Sequence, residues 1–170
     1  LVGDFVRDKD GVSACAMVAE VIAYYKTQGK NVFQVLAEIY SQFGFYKESL
    51  ISVTKKGKDG AEQIQKLMAD FRTNPPKEMN GSEVVKIVDV KNSTVTHVQT
   101  GQVEKLEMDK SNVMQFYLAD GSKISARPSG TEPKIKYYFS VNSPITDPKD
   151  YREVEAKLVE KLEGLRAYFS

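Results

Sequence analysis

The sequence predicts an α+β domain: an antiparallel sheet of four to five strands with two helices on one face, preceded by a mostly helical segment. Three observations carry this. Runs of period-two alternation cluster between residues 45 and 141, and helical stripes flank them on both sides. The pattern before Gly44 is helical, with a single short strand-like run at the start. The order over residues 45–170 reads β-α-β-β-β-β-α, which places two helices over one antiparallel sheet. Residues 1–44 then form the end of a neighbouring α/β domain, and 45–170 form a second domain.

Taken in order, Leu1 to Val6 is apolar and strand-like, and the polar turn RDKDG follows. Asp10 is the expected N-cap of a helix from Val12 to about Lys26, ending near Gly29. Ala16, Ala19, Ile22 and Ala23 make that helix apolar over much of its surface, so it is expected to be well buried. Asn31 caps a second helix, in which Val32, Val35, Leu36, Ile39 and Phe43 form one stripe that ends at Gly44. FYKESLISVTKK alternates as a strand. A helix over Ala61 to Arg72 aligns Ile64, Leu67, Met68 and Phe71, and the prolines of TNPPK stop it.

EVVKIVDV is a strand, and the polar stretch from Lys91 to Asn112 reads as a loop or irregular hairpin. VMQFYLADGSKISAR gives two strands turning at Asp120-Gly121. In KIKYYFSV, Ile135, Tyr137, Phe139 and Val141 face one way while Lys134, Lys136, Tyr138 and Ser140 face the other. A last helix from about Pro148 to Tyr168 aligns Val154, Leu158, Leu162, Leu165 and Phe169.

Bulk properties narrow the function. The chain has 170 residues, 41% hydrophobic and 28% charged, with a net charge of +1. No global field draws in nucleic acid or a membrane, so an anion site must be local. The nine tyrosines are not seen to interleave with lysines as a base-stacking platform. One cysteine, Cys15, excludes an internal disulfide and fits a cytoplasmic setting. It is expected to be a packed thiol. His97, the single histidine, reads as a surface residue, since no acidic or cysteine partner has ligand-like spacing. No apolar run is long enough to span a membrane. The opening residues lack signal-peptide character and a starting methionine, and they suggest a piece of a longer protein.

The stretch SARPSGTEPKIKYYF concentrates hydrogen-bond donors on a turn between two strands. Converging backbone N–H groups there would make an anion-binding nest. Gly130 would relieve the φ restriction and let a ligand approach. Ser129 and Thr131 add hydroxyls, Arg127 adds a fork suited to two phosphate oxygens, and Lys134 or Lys136 adds a further charge. The same residues also permit a rigid turn in which Ser and Thr cap their own backbone and Arg127 pairs with Glu132.

RPSGTEPKIKYYF resembles the phosphate-binding loop in the last domain of the α-D-phosphohexomutases, the family of phosphoglucomutase and phosphomannomutase. VRDKDGVSA resembles a second element of that family, the turn and helix at the end of its third domain. The resemblance implies a final domain of the TATA-box-binding-protein type. It implies a role in interconverting sugar 1- and 6-phosphates through a bisphosphate intermediate, with this portion clamping the non-reacting phosphate and closing the active-site cleft about a hinge near Gly44 to Lys47. It assigns Arg127, Ser129, Gly130 and Thr131 to phosphate contact, Lys136 as a weaker candidate and Lys9 to the reacting centre, with Arg7 as a possible second contact there. Glu132 is assigned to stabilising the loop or pairing with an arginine. The Mg²⁺ and phosphoserine of the family are expected in domains this chain lacks, since neither a T-A-S-H-N nor a D-x-D-x-D-R motif occurs. The chain alone is therefore expected to be inactive, with sugar phosphates and the remaining domains of the enzyme as its partners. The alternative is a non-catalytic module that binds an anion, nucleic acid or protein.

Overall fold

The computed structural model describes residues 3, 4, 6, 9–55 and 58–169. The strand expected over Leu1 to Val6 and the candidate Arg7 lie largely outside them. The chain divides into two compact units, Leu1–Phe45 with Pro144–Arg152, and Tyr46–Ser143 with Glu153–Ser170.

In the first unit, α1 (Gly11–Thr27) begins at Asp10, whose side chain accepts from the backbone N–H groups of Val12 and Ser13. It ends in a Schellman motif. Gly29, at φ +73°, donates to Lys26 and Lys30 donates to Tyr25. Asn31 starts α2 (Val32–Phe43) with a capping box to Gln34, and Gly44 ends it at φ +88°. Tyr40, Phe45 and Tyr151 stack, with ring centroids 4.2 and 5.1 Å apart along the series.

The expectation of a well-buried first helix fails: no residue of α1 is buried, and Cys15 is exposed. The α2 stripe is likewise open at Leu36, Ile39 and Phe43, with Val35 and Ala37 taking the buried positions. Apolar composition fixes what a helix can bury, and much of these faces stays exposed.

The second unit is built on one eight-stranded sheet. Its strands are β1 (Phe45–Thr54), β2 (Glu78–Met79), β3 (Ser82–Asp89), β4 (Thr94–His97), β5 (Val103–Lys105), β6 (Met114–Leu118), β7 (Lys123–Pro128) and β8 (Lys134–Ser143). The order is β1-β8-β7-β6-β3-β4-β5, with β2 paired to β3. Antiparallel pairing runs from β8 through β7, β6, β3 and β4 to β5. The α+β class is as expected, but the sheet has eight strands rather than four or five. Two of the extra strands are the β4–β5 hairpin in the polar stretch. The third, β2, is folded back by Asn80 and Gly81, both at positive φ, the two-residue turn that an Asn-Gly pair favours.

Helices α3 (Lys58–Thr73) and α4 (Tyr151–Tyr168) supply the buried side chains Ile64, Met68, Leu158, Leu162 and Leu165. These pack with Phe116, Ile124, Ile135, Phe139 and Val141 of the sheet, all at most 1% exposed. Phe71 meets Phe116 edge-on at 5.4 Å, and Tyr137 meets Phe169 at 4.4 Å. Each large apolar side chain so buried contributes about 1.5–3 kcal/mol.

One polar network closes the C-terminal end of α3. Arg72 Nε donates to Asp89 Oδ2 at 3.1 Å, Nη2 to Asn112 Oδ1 at 2.6 Å and Nη1 to the Met68 carbonyl at 3.0 Å. Asp89 also accepts from the backbone N–H groups of Lys91 and Asn92 and from Asn92 Nδ2 at 2.6 Å. Arg72 and Asp89 side chains are 16% and 9% exposed, so the pair sits mostly out of water.

Candidate functional site

Alternation fixes which side chains of β7 and β8 reach the open face of the sheet. Ile124, Ala126, Ile135 and Tyr137 point to the covered face and are buried. Burial pushes the Tyr137 hydroxyl up to about 12. On the opposite face the register sets Arg127 directly across from Lys136 and Ser125 across from Tyr138. The strands are joined by residues 129–133, and Ser129 N–H donates to the Lys134 carbonyl at 2.9 Å, which closes the turn. Lys55 N–H holds the far side of the turn through the Pro133 carbonyl at 2.9 Å.

Arg127, Ser129, Gly130 and Lys136 line one hollow of about 330 Å³, together with Pro128, Glu132, Lys134 and Tyr138. Thr131 lines an adjoining hollow on the other side of the loop, with Ser129, Gly130 and the first turns of α3. The structure thus brings four of the sequence-derived phosphate candidates into one wall and sets Thr131 beside them. Lys9 belongs to the first unit, exposed, one residue before the α1 cap.

The loop differs from its expected chemistry in three ways. The N–H groups of Thr131 and Glu132 turn inward to Ser129 Oγ at 3.4 and 3.3 Å, so they are not free nest donors. Gly130 keeps a φ open to any residue, because it is not among the positive-φ glycines; a Cβ there would meet only open space. What glycine supplies is room. Glu132 pairs with Lys134 at 2.6 Å and not with Arg127. Among the described residues, the Arg127 guanidinium, the Lys136 ammonium and the Thr131 hydroxyl have no hydrogen-bond or ion-pair partner. A cluster of donors facing solvent is suited to a group that only accepts.

The hydrogen bond from Lys134, and then the charges of Lys134 and Lys136, lower the Glu132 carboxyl below its ordinary value of 4.5. A lowered carboxyl stabilises the fold where it is ionised and loses that contribution as pH falls through its folded value. Amide protection across residues 129–134, corrected for the intrinsic pH dependence of exchange, is therefore expected to stay flat at neutral pH and to fall below about pH 4.5, as Glu132 is protonated. Protection that already falls at neutral pH would contradict the Glu132–Lys134 brace.

Other candidates resolve structurally. His97 lies on β4 with Nε2 3.2 Å from Glu104 Oε1, so it does have an acidic neighbour, supplied by the hairpin rather than by sequence spacing. Lys86 Nζ stands 3.9 Å over the Tyr117 ring, a lysine–tyrosine pairing that strand register creates. Among the described residues no three His, Cys, Asp or Glu side chains are grouped to hold a metal ion. No helix there is long and apolar enough to cross a membrane.

Comparison with known proteins finds similarity to phosphoglucomutases. It is 38% identical over 143 residues to the phosphoglucomutase of Staphylococcus aureus strain N315, and 37% identical over the same length to that of strain MRSA252. Each match covers 84% of this chain and 26% of the relative, so the chain spans about a quarter of the curated relatives' length. Among solved structures, the open form of the Paramecium phosphoprotein pp63/parafusin, a phosphoglucomutase by its title, aligns over 92% of this chain and 26% of its own, with 17% identity and a TM-score of 0.48. No family model matches.

Proposed function

We propose that this chain, similar over 84% of its length to phosphoglucomutases, is the phosphate-clamping portion of an α-D-phosphohexomutase, an enzyme that interconverts sugar 1- and 6-phosphates through a bisphosphate. The observation that carries this is the Arg127–Lys136 cross-strand pair beside the Ser129–Thr131 turn, a set of donors on a rigid strand frame. Such a frame holds a phosphate by its oxygens, whichever end of the sugar carries it. A reaction that exchanges the two ends of its substrate needs a grip that accepts either. Arg127 grips two oxygens, Lys136 neutralises charge, Ser129 and Gly130 complete the cradle, and Thr131 stands at its edge. In the whole enzyme this portion closes the cleft over the bound sugar, which excludes water from phosphoryl transfer.

Lys9 is assigned to the reacting centre of that whole enzyme. Mg²⁺ and the phosphoserine belong to its other parts, and no step on this chain is routed through either. A clamp without an aligned nucleophile does not transfer a phosphoryl group. The 170-residue chain, mixed with glucose 1-phosphate, glucose 1,6-bisphosphate and Mg²⁺, is expected to form no glucose 6-phosphate in a coupled assay. Sustained product formation would reject the division of labour proposed here.

A further inference from the structure

The hollow beside the turn does not stand alone on the open face. A second hollow, of about 270 Å³, follows it along the same two strands and is lined by Glu48, Lys123, Val113, Phe139 and the serines Ser49, Ser125 and Ser140. Arg127 and Tyr138 line both. The shared wall lies one strand step, about 6.6–6.8 Å, from Lys136 to Tyr138 and from Arg127 to Ser125.

The two hollows differ in chemistry. The first gathers Arg127, Lys134 and Lys136 against the single carboxylate of Glu132. The second sets Lys123 and the shared Arg127 against Glu48 and adds three serine side chains beside Val113 and Phe139. A strongly cationic hollow next to a less charged, hydroxyl-lined one is suited to a ligand with a dianion at one end and neutral hydroxyls at the other. The Tyr138 ring is 38% exposed, and its hydroxyl has no partner among the described residues. We infer that Tyr138 is a positioning residue for the sugar: its ring packs on the sugar of a phosphate ester held by Arg127 and Lys136, and directs the hydroxyls toward Ser125, Ser140 and Glu48. This rests on the phosphate-clamp reading and extends it to the organic part of the ligand.

The full chain and its variants are titrated by NMR with inorganic phosphate and, separately, with glucose 6-phosphate. Tyr138→Ala is expected to weaken glucose 6-phosphate about tenfold while changing inorganic phosphate less than about twofold. Tyr138→Phe keeps the ring and is expected to keep most of the sugar phosphate affinity. An equal effect of Tyr138→Ala on both ligands, no effect on either, or a loss in Tyr138→Phe as large as in the alanine variant would overturn the inference. Arg127→Ala separates this from the reading beneath it. If that variant still binds both ligands normally, the clamp itself is wrong. If it loses both while Tyr138→Ala loses neither, the clamp stands and the sugar contact falls.

Discussion

Arg127→Ala is expected to weaken inorganic phosphate binding to this chain by about a hundredfold, with the fold intact. Arg127 stands exposed on the open face, and no hydrogen bond or ion pair among the described residues is lost when it is truncated. The cost thus falls on the ligand. A guanidinium fork makes two charge-assisted hydrogen bonds to a phosphate, each worth about 1.5–3 kcal/mol, and a loss near 3 kcal/mol corresponds to that factor. Arg127→Lys keeps the charge but not the fork and is expected to fall between. The readout is the shift of the Gly130 and Thr131 amides on titration with phosphate. Unaltered binding in Arg127→Ala would remove the clamp assignment.

The second large effect concerns stability. Arg72→Ala is expected to destabilise the second unit by about 3–5 kcal/mol, because it leaves the Asp89 carboxylate mostly out of water without its cation. Asn112 Oδ1 and the Met68 carbonyl lose their donor at the same time. Asp89→Ala is expected to cost a similar amount, since it strands Arg72 and frees the Asn92 side chain. The double variant should fall well short of the sum, as both substitutions break one network. Urea unfolding followed through the tyrosine signal measures all three. A single-variant change below about 1 kcal/mol would show that Asn92 and the backbone donors suffice for Asp89.

Much of this fold was legible where a periodic pattern coincided with burial. The alternation of Ile135, Tyr137, Phe139 and Val141 assigned the covered face of β8 correctly, because half-buried strands must alternate. Asp10, Asn31 and the Asp120-Gly121 turn were readable from local hydrogen-bond chemistry. The β4–β5 hairpin was legible only as one of two readings, a loop or an irregular hairpin, since its residues are half-buried or exposed and carry no apolar stripe. The Asn80-Gly81 turn did carry a signal, the Asn-Gly pair itself. Burial of α1 could not be read at all, because periodicity states which face is apolar and not whether a partner covers it.

At the candidate site the residue types were legible and their pairings were not. Glu132 chose Lys134 over Arg127, and Ser129 Oγ took two backbone donors, choices set by distances within a turn. Arg72–Asp89–Asn112 escaped notice altogether, as its members are far apart in sequence and meet only through the fold.

The face-to-face register of β7 and β8 also restricts how this chain can change length. Inserting or deleting a single residue within either strand would exchange its two faces. Arg127 or Lys136 would then turn into the core, and Ile124, Ala126, Ile135 or Tyr137 would turn out to solvent. Growth or shortening is compatible with the frame only in pairs of residues within a strand, or in the turn over 129–133, where the donors themselves stand. The same geometry that makes the cradle rigid leaves it little room for insertions and deletions, so variation in ligand preference has to enter through side chains on the open face.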